Sequence, residues 1–189
     1  MTAQNFILLA FAALPENTIK GRTKLQKVVY FLSVFTGLDE LGYKPHYYGP
    51  YSGEVAEAVA GLCSINFLDC KTDTHPHEPS GFEVTRYDYS LTPDGQQAAA
   101  IVKQREPELW NKISEGEKRL AALGDPDYMS LSFAAKVWLM LGEKGGKATQ
   151  EELSGYATRF GWTMDTAQIG IASDILQKLG MVSTTPAEV

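Results

Sequence analysis

Apolar positions in the first third of the chain recur at the spacing of helices. Residues 3–14 are apolar on nearly every side, which predicts a buried first helix. A second helix is predicted over about 23–36, where apolar residues recur every three or four positions and Gly37 follows as a C-terminal stop. Ser52 is a favourable N-cap for a third helix over about 53–64. The pattern therefore predicts three helices before any strand.

Two segments with alternating apolar positions follow these helices, at 66–70 and 82–92. The stretch between them is polar and contains proline and glycine, so it is predicted to be a loop. Three helices followed by a two-stranded hairpin is the order of a winged helix-turn-helix. The predicted fold class is therefore mainly α with a small β-hairpin wing (α+β), with a winged-helix domain over 1–92.

Helical patterns continue through the rest of the chain. Residues 93–124 are predicted to form a helical connector that Pro107 divides into two helices. Its apolar stripe from Ala98 to Leu123 is a candidate interface for a homodimer, the form that symmetric DNA sites favour. Residues 129–189 are predicted to form a C-terminal helical unit, and its element order leaves open a second winged-helix-like unit.

The charge of the chain is unevenly distributed. Its net charge is -6, whereas proteins that bind DNA through phosphate contacts normally present a basic surface. One basic segment occurs, with Lys20, Arg22, Lys24 and Lys27 and no acidic residue between 17 and 35. Helical spacing predicts that its lysines share one solvent-facing side, where they would hold a DNA backbone. The alternative is an ordinary solvated helix face.

The third helix has a composition that does not suit base recognition. Its predicted outward residues are Glu54, Glu57, Ala58, Gly61 and Ser64. Carboxylates repel phosphates, and the arginine, lysine, asparagine and glutamine side chains that pair with bases are missing from this set. This face suits a protein partner better than DNA.

An aromatic segment, "YKPHYYGPYS", precedes this third helix. One interpretation is a brace, in which the tyrosine rings pack against the second and third helices. The other is a recognition surface, because tyrosines are frequent anchors at interfaces. The candidate partner-binding residues are Tyr47, Tyr48, Tyr51, Glu54 and Glu57.

Motifs for catalysis, cofactors and metals are missing from the sequence. The spacing of Cys63, Cys70, His75 and His77 matches no zinc motif, so neither a metal nor a cofactor is predicted. No nucleophile lies with a base in a recognisable pattern, so the protein is expected not to be an enzyme. No basic residue precedes the first apolar run, which favours a cytoplasmic protein without membrane contact and with two reduced thiols.

Two motifs about thirty residues apart carry a family resemblance. The chain resembles the YwgA-like proteins and, more distantly, the Panacea (SocA-like) antitoxin domains over about residues 5–100. The motifs are Lys24, Leu25, Gln26 and Lys27, and then Tyr48, Gly49, Pro50, Tyr51 and Ser52. The segment "YSLTPDGQQAA" is also similar to the strand-to-helix junction of MarR- and PadR-type regulators. The resemblance implies a winged-helix fold with a regulatory or antitoxin role.

Two functions are expected from these observations. The first is a DNA-binding transcription regulator or antitoxin-like protein that contacts DNA through Lys20, Arg22, Lys24 and Lys27. The second is an adaptor or toxin-neutralising module that keeps the winged-helix fold without reading DNA. The expected partners are accordingly DNA, a protein such as a toxin, and a second copy of the chain.

Overall fold

The computed structural model describes residues 1–77 and 82–182. The chain is mainly helical, with one small antiparallel sheet of three strands. Along the described chain lie α1 (Ala3–Ala13), β1 (Thr18–Lys20), α2 (Arg22–Thr36), α3 (Gly53–Ser64), β2 (Leu68–His77), β3 (Phe82–Leu91), α4 (Pro93–Arg105), α5 (Pro107–Ala121), α6 (Tyr128–Glu143), α7 (Gln150–Ala157) and α8 (Thr166–Lys178). Among the described helices, none combines the length and the apolar character needed to cross a bilayer.

Local capping explains where most of these helices begin. Thr2, Ser52, Thr92, Asp127, Thr149 and Asp165 each precede a helix and accept a hydrogen bond from a backbone N–H of its first turn. Such bonds satisfy donors that have no partner within the helix. Gly37 ends α2 in the left-handed conformation at φ 71°, which glycine adopts without strain.

The sheet has one more strand than the sequence predicts. Its order is β1-β3-β2, and both neighbouring pairs are antiparallel. The predicted hairpin is present, although β2 extends to His77, well into the predicted loop. The additional strand β1 pairs Ile19 with Tyr89. Three residues are too few for an alternating pattern to be recognised, which is why the sequence does not indicate β1.

One continuous hydrophobic core passes through all three predicted segments of the chain. The connector helices α4 and α5 both pack on α1. In addition, α2 contacts both α5 and α6, and α6 packs on α8. Within the connector stripe Ile113 and Leu120 are buried, and Gly116 lies so close to Phe35 that a Cβ would be 2.8 Å from its ring. The stripe predicted as a dimer interface is therefore largely used inside one chain. Its apolar residues meet α1 and α2, which the sequence pattern does not reveal.

The two cysteines are joined as a disulfide between the end of α3 and β2. Their Cα atoms are 6.1 Å apart, a separation that permits the bond. The prediction of two reduced thiols is therefore wrong. The chain turns sharply after α3, at Ile65 and Asn66, and β2 returns alongside the helix, which brings Cys63 and Cys70 together.

Candidate functional site

The predicted DNA-binding residues have four different environments. Lys20 and Arg22 are exposed, and the Arg22 guanidinium lies 4.1 Å from the centre of the Tyr87 ring. Lys24 is half-buried and forms an ion pair with Asp125 in the segment between α5 and α6. Of these three residues, Lys20 and Arg22 can meet a phosphate without breaking an ion pair, whereas Lys24 would exchange its pairing with Asp125.

Lys27 is buried, with 1% of its surface exposed. Its Nζ donates a hydrogen bond to the carbonyl oxygen of Pro50. Lys136 on α6 lies near the Lys27 side chain. Burial and the nearby positive charge of Lys136 lower the pKa of Lys27 to about 7. The prediction that Lys27 faces solvent is wrong, because the aromatic segment and α6 cover this side of α2.

Gln26 joins the two sequence motifs directly. Its side-chain amide donates to the Ser52 carbonyl and its side-chain oxygen accepts from the Ser52 N–H, each at 3.0 Å. Ser52 in turn caps α3 through Val55 N–H and donates its hydroxyl to the Leu41 carbonyl. We call this contact of Gln26 and Lys27 with Pro50 and Ser52 the junction. Gln26 and Lys27 of the first motif therefore both have a structural role.

Gly49 allows the aromatic segment to approach α6 closely. Its φ is +90°, and a Cβ at this position would lie 3.1 Å from Lys136 Cγ and 3.3 Å from the Ser132 carbonyl oxygen. L-residues rarely adopt this φ, and the neighbouring atoms leave little room for a side chain. Glycine is therefore required between the junction and α6.

The aromatic segment forms a small hairpin. Lys44 and Tyr51 form an antiparallel bridge, and His46 and Gly49 exchange backbone hydrogen bonds across the turn. Trp162, which follows α7, donates its Nε1–H to the His46 carbonyl oxygen at 2.7 Å. This hairpin therefore links the first half of the chain to its last quarter.

The tip of the same hairpin is exposed, as the recognition interpretation requires. Tyr47 is 73% exposed and Tyr48 is 38% exposed, and their ring centres are 4.8 Å apart. Tyr128, at the start of α6, is 47% exposed, and its ring centre is 6.2 Å from that of Tyr48. We call these three residues the tyrosine cluster. The sequence analysis did not include Tyr128, which lies far along the chain and carries no motif.

The exposed face of α3 is acidic, as predicted. Glu54 and Glu57 line a cleft of about 360 Å³ with Lys44, His46 and Tyr51. Among the described residues, neither glutamate forms an ion pair.

One residue predicted on this outward face is wrongly placed. Ala58 is buried, with 4% of its surface exposed, because it lies on the side of α3 that packs against α1. Ala60 is exposed in its place, so the outward face still carries no base-reading side chain.

Of the four residues considered for a metal site, the structure describes the side chains of the two cysteines. Cys63 and Cys70 are bonded to each other, and the side chains of His75 and His77 lie outside the described ones. Across residues 1–77 and 82–182, no described group of three or more His, Cys, Asp or Glu side chains is arranged to hold a metal ion.

A curated relative matches part of the chain. The chain is 35% identical over 77 residues to the uncharacterized protein YwgA of Bacillus subtilis (strain 168). The match covers 41% of this chain and 43% of the relative, so the chain spans less than half the length of that protein. No protein-family model matches. A homologue named YwgA agrees with the first resemblance drawn from the two motifs, whereas the resemblance to Panacea domains stays a prediction.

Proposed function

We propose that this protein is a non-catalytic binding protein on a winged-helix plan whose partner is another protein, as in an adaptor or a toxin-neutralising module. The observation that carries the proposal is the tyrosine cluster, an exposed aromatic surface assembled from two distant parts of the chain. Tyrosine anchors contribute much of the affinity at many protein interfaces.

The winged-helix part of the proposal rests on element order and pairing. The order α1-β1-α2-α3 followed by the β2–β3 hairpin, with β1 added at the free edge of β3, supports this plan. In that plan α3 is the helix that enters the DNA groove. Its exposed face carries Glu54 and Glu57, which disfavours DNA and leaves the face available to a protein.

Tyr51 of the aromatic segment lies next to this acidic face. Its ring is tilted against that of His46, with the ring centres 5.1 Å apart, and both residues line the cleft that contains the two glutamates. The aromatic segment therefore carries exposed rings at its tip and borders the carboxylates through Tyr51. An apolar centre with a polar rim is the usual composition of protein interfaces.

Partner capture from extracts of the native organism tests this proposal. The tagged wild-type chain is compared with Tyr47→Ser combined with Tyr48→Ser, and with Ile171→Ser as a control. Ile171 is 43% exposed and lies on α8, so its substitution removes exposed apolar surface elsewhere. A partner that the control retains and the tyrosine variant loses supports the proposal. A partner that both variants retain contradicts the assigned surface.

A DNA-binding regulator is the second candidate function. The observation that favours it is the exposure of Lys20, the last residue of β1, and of Arg22, the first residue of α2. Fluorescence anisotropy with duplex DNA at low and physiological salt tests it, because phosphate contacts weaken steeply with salt. Lys20→Glu with Arg22→Glu is expected to abolish binding. Lys147→Glu with Lys178→Glu, the same charge change at two other exposed sites, is expected to retain most of it.

A further inference from the structure

A second, larger cleft is lined by residues other than those of the tyrosine cluster. It has a volume of about 460 Å³, within the range of small-molecule sites. The turn between α1 and β1, the first half of α2, the end of α5 and the segment leading into α6 form its walls. No motif from the sequence analysis predicts a ligand there.

The floor of this cleft is apolar. Ile19, Val28, Leu120 and Leu131 line it, and each is at least nine-tenths buried. An apolar floor with a few polar groups at its edge is the usual composition of a site for a small organic molecule. The floor suits the apolar body of a ligand, and the charged groups at the edge determine which polar group that ligand carries.

The charged groups around the cleft are three acids and two bases, namely Glu16, Glu117, Asp125, Lys20 and Lys24. Lys24 and Asp125 form an ion pair with each other. Glu117 is half-buried, and the described residues include no ion pair to it. Its neighbour Lys118 pairs with Glu115 instead. Burial raises the pKa of Glu117, although the charge of Lys118 opposes this effect.

The wall formed by the α1–β1 turn has an unusual backbone. Glu16 and Asn17 are consecutive non-glycine residues with φ of 55° and 52°. Left-handed conformations are strained at non-glycine residues, and they are frequent where a protein holds a ligand. Glu16 is itself part of the cleft lining.

We propose that this cleft binds a small amphipathic amine, with the apolar body over Ile19, Leu120 and Leu131 and the ammonium group against the Glu117 carboxylate. An ammonium group gives this carboxylate the positive partner that the described residues do not supply. A ligand carboxylate fits less well, because the three acids of the lining outnumber its two lysines and both lysines already lie near Asp125, Lys24 in an ion pair and Lys20 within reach of its charge. The proposal does not depend on whether the macromolecular partner is a protein or DNA.

Isothermal titration calorimetry with matched probes tests the proposal. The probes are 4-phenylbutylamine, 4-phenylbutanol and 4-phenylbutyrate, which share one apolar body and differ in the polar group. The amine is expected to bind about tenfold more tightly than the alcohol, because a hydrogen bond between charged groups is stronger than one between neutral groups. Its affinity is expected to fall as pH decreases through the pKa of Glu117, since a protonated carboxyl no longer attracts an ammonium group. Equal binding of the three probes, tightest binding of the acid, or no binding overturns the proposal.

Two variants separate the Glu117 contact from the cleft itself. Glu117→Gln keeps the side-chain shape and is expected to remove the preference for the amine over the alcohol. Glu108→Gln, an exposed position at the start of the same helix, is the matched control and is expected to keep it. Ala121→Trp, at an exposed position on the cleft wall, is expected to abolish binding of both probes. Full amine preference in Glu117→Gln, or full binding in Ala121→Trp, contradicts the assignment.

Discussion

The junction and the basic end of α2 are neighbours in the sequence and differ in environment. At the basic end, Lys20 and Arg22 are exposed and Lys24 is half-buried. At the junction, Gln26 and Lys27 are almost fully buried. Lys24 and Lys27 are the same residue type, and their spacing of three positions places them on one face of the helix. The difference arises because the aromatic segment and α6 cover one end only. Exposure of a lysine on a helix is therefore decided by what packs on it.

The first prediction concerns Gln26, where the largest effect is expected. Gln26→Ala removes both hydrogen bonds to Ser52 and leaves the buried Ser52 N–H without its partner. We expect a loss of about 3 kcal/mol in the free energy of unfolding. Urea unfolding followed by circular dichroism measures it. Gln104→Ala, at an exposed position on α4, is the matched control and is expected to change stability by less than about 0.5 kcal/mol. Equal stability of the two variants would show that the junction contributes little.

The second prediction concerns the pH dependence of stability caused by Lys27. The pKa of Lys27 is about 7 in the folded chain, whereas the ordinary pKa of a lysine side chain, which applies to the unfolded chain, is 10.5. Between these values the unfolded chain binds more protons, so the free energy of unfolding rises with pH, by at most about 1.4 kcal/mol per unit. Below about pH 7 the lysine is charged in both states and this dependence disappears.

Lys27→Met isolates that effect, since methionine fills similar space and does not titrate. We expect the wild type to gain about 2–3 kcal/mol relative to this variant between pH 7 and pH 9. Chemical unfolding of both proteins at several pH values measures the difference. A difference that stays constant with pH would contradict the burial of Lys27. Lys20→Met, at an exposed position of the same segment, is the control for replacing a lysine by methionine.

The third prediction concerns Gly49, which lies between the junction and α6. Gly49→Ala combines an unfavourable φ with close contacts to Lys136 and Ser132, and we expect a loss of about 2 kcal/mol. Gly146 has nearly the same φ, +91°, and no atom within 4 Å of a Cβ. Gly146→Ala is therefore expected to lose only about 1 kcal/mol, the part due to the backbone. Thermal and urea unfolding compare the two. If both variants lose the same amount, the close approach to α6 has no energetic weight.

The sequence predicts the helices and the hairpin because each depends on local patterns. Apolar spacing locates α2 and α3, and Ser52 and Gly37 have the capping roles that their residue types indicate. The strand β1 is missed because it depends on pairing with β3, a distant segment. The connector stripe is correctly predicted to be apolar, but the surface that it meets is not encoded within the connector itself.

The candidate sites depend on contacts between distant segments, and the sequence predicts them less well. The burial of Lys27 requires Pro50 and α6, neither of which is near it in the chain. Tyr128 joins the tyrosine cluster only because α6 packs on α2. The brace interpretation, in which the aromatic segment packs against the second and third helices, is the sequence signal that indicates this contact. Gln26 carries that contact, although its residue type suggested no role.

The fourth prediction concerns Lys24, where the smallest effect on stability is expected. The Asp125 side chain is 93% exposed, so solvent screens its ion pair with Lys24. Lys24→Ala is therefore expected to change the free energy of unfolding by less than about 0.5 kcal/mol, and less still at high salt. Lys27→Ala, three positions along the same helix, leaves buried space and an unpaired Pro50 carbonyl, and a loss several times larger is expected. Urea unfolding of both variants at low and high salt gives the ratio. Similar losses would mean that Lys24 and Lys27 contribute equally to the free energy of unfolding. The aromatic segment that covers Lys27 would then add nothing to the contribution of this lysine.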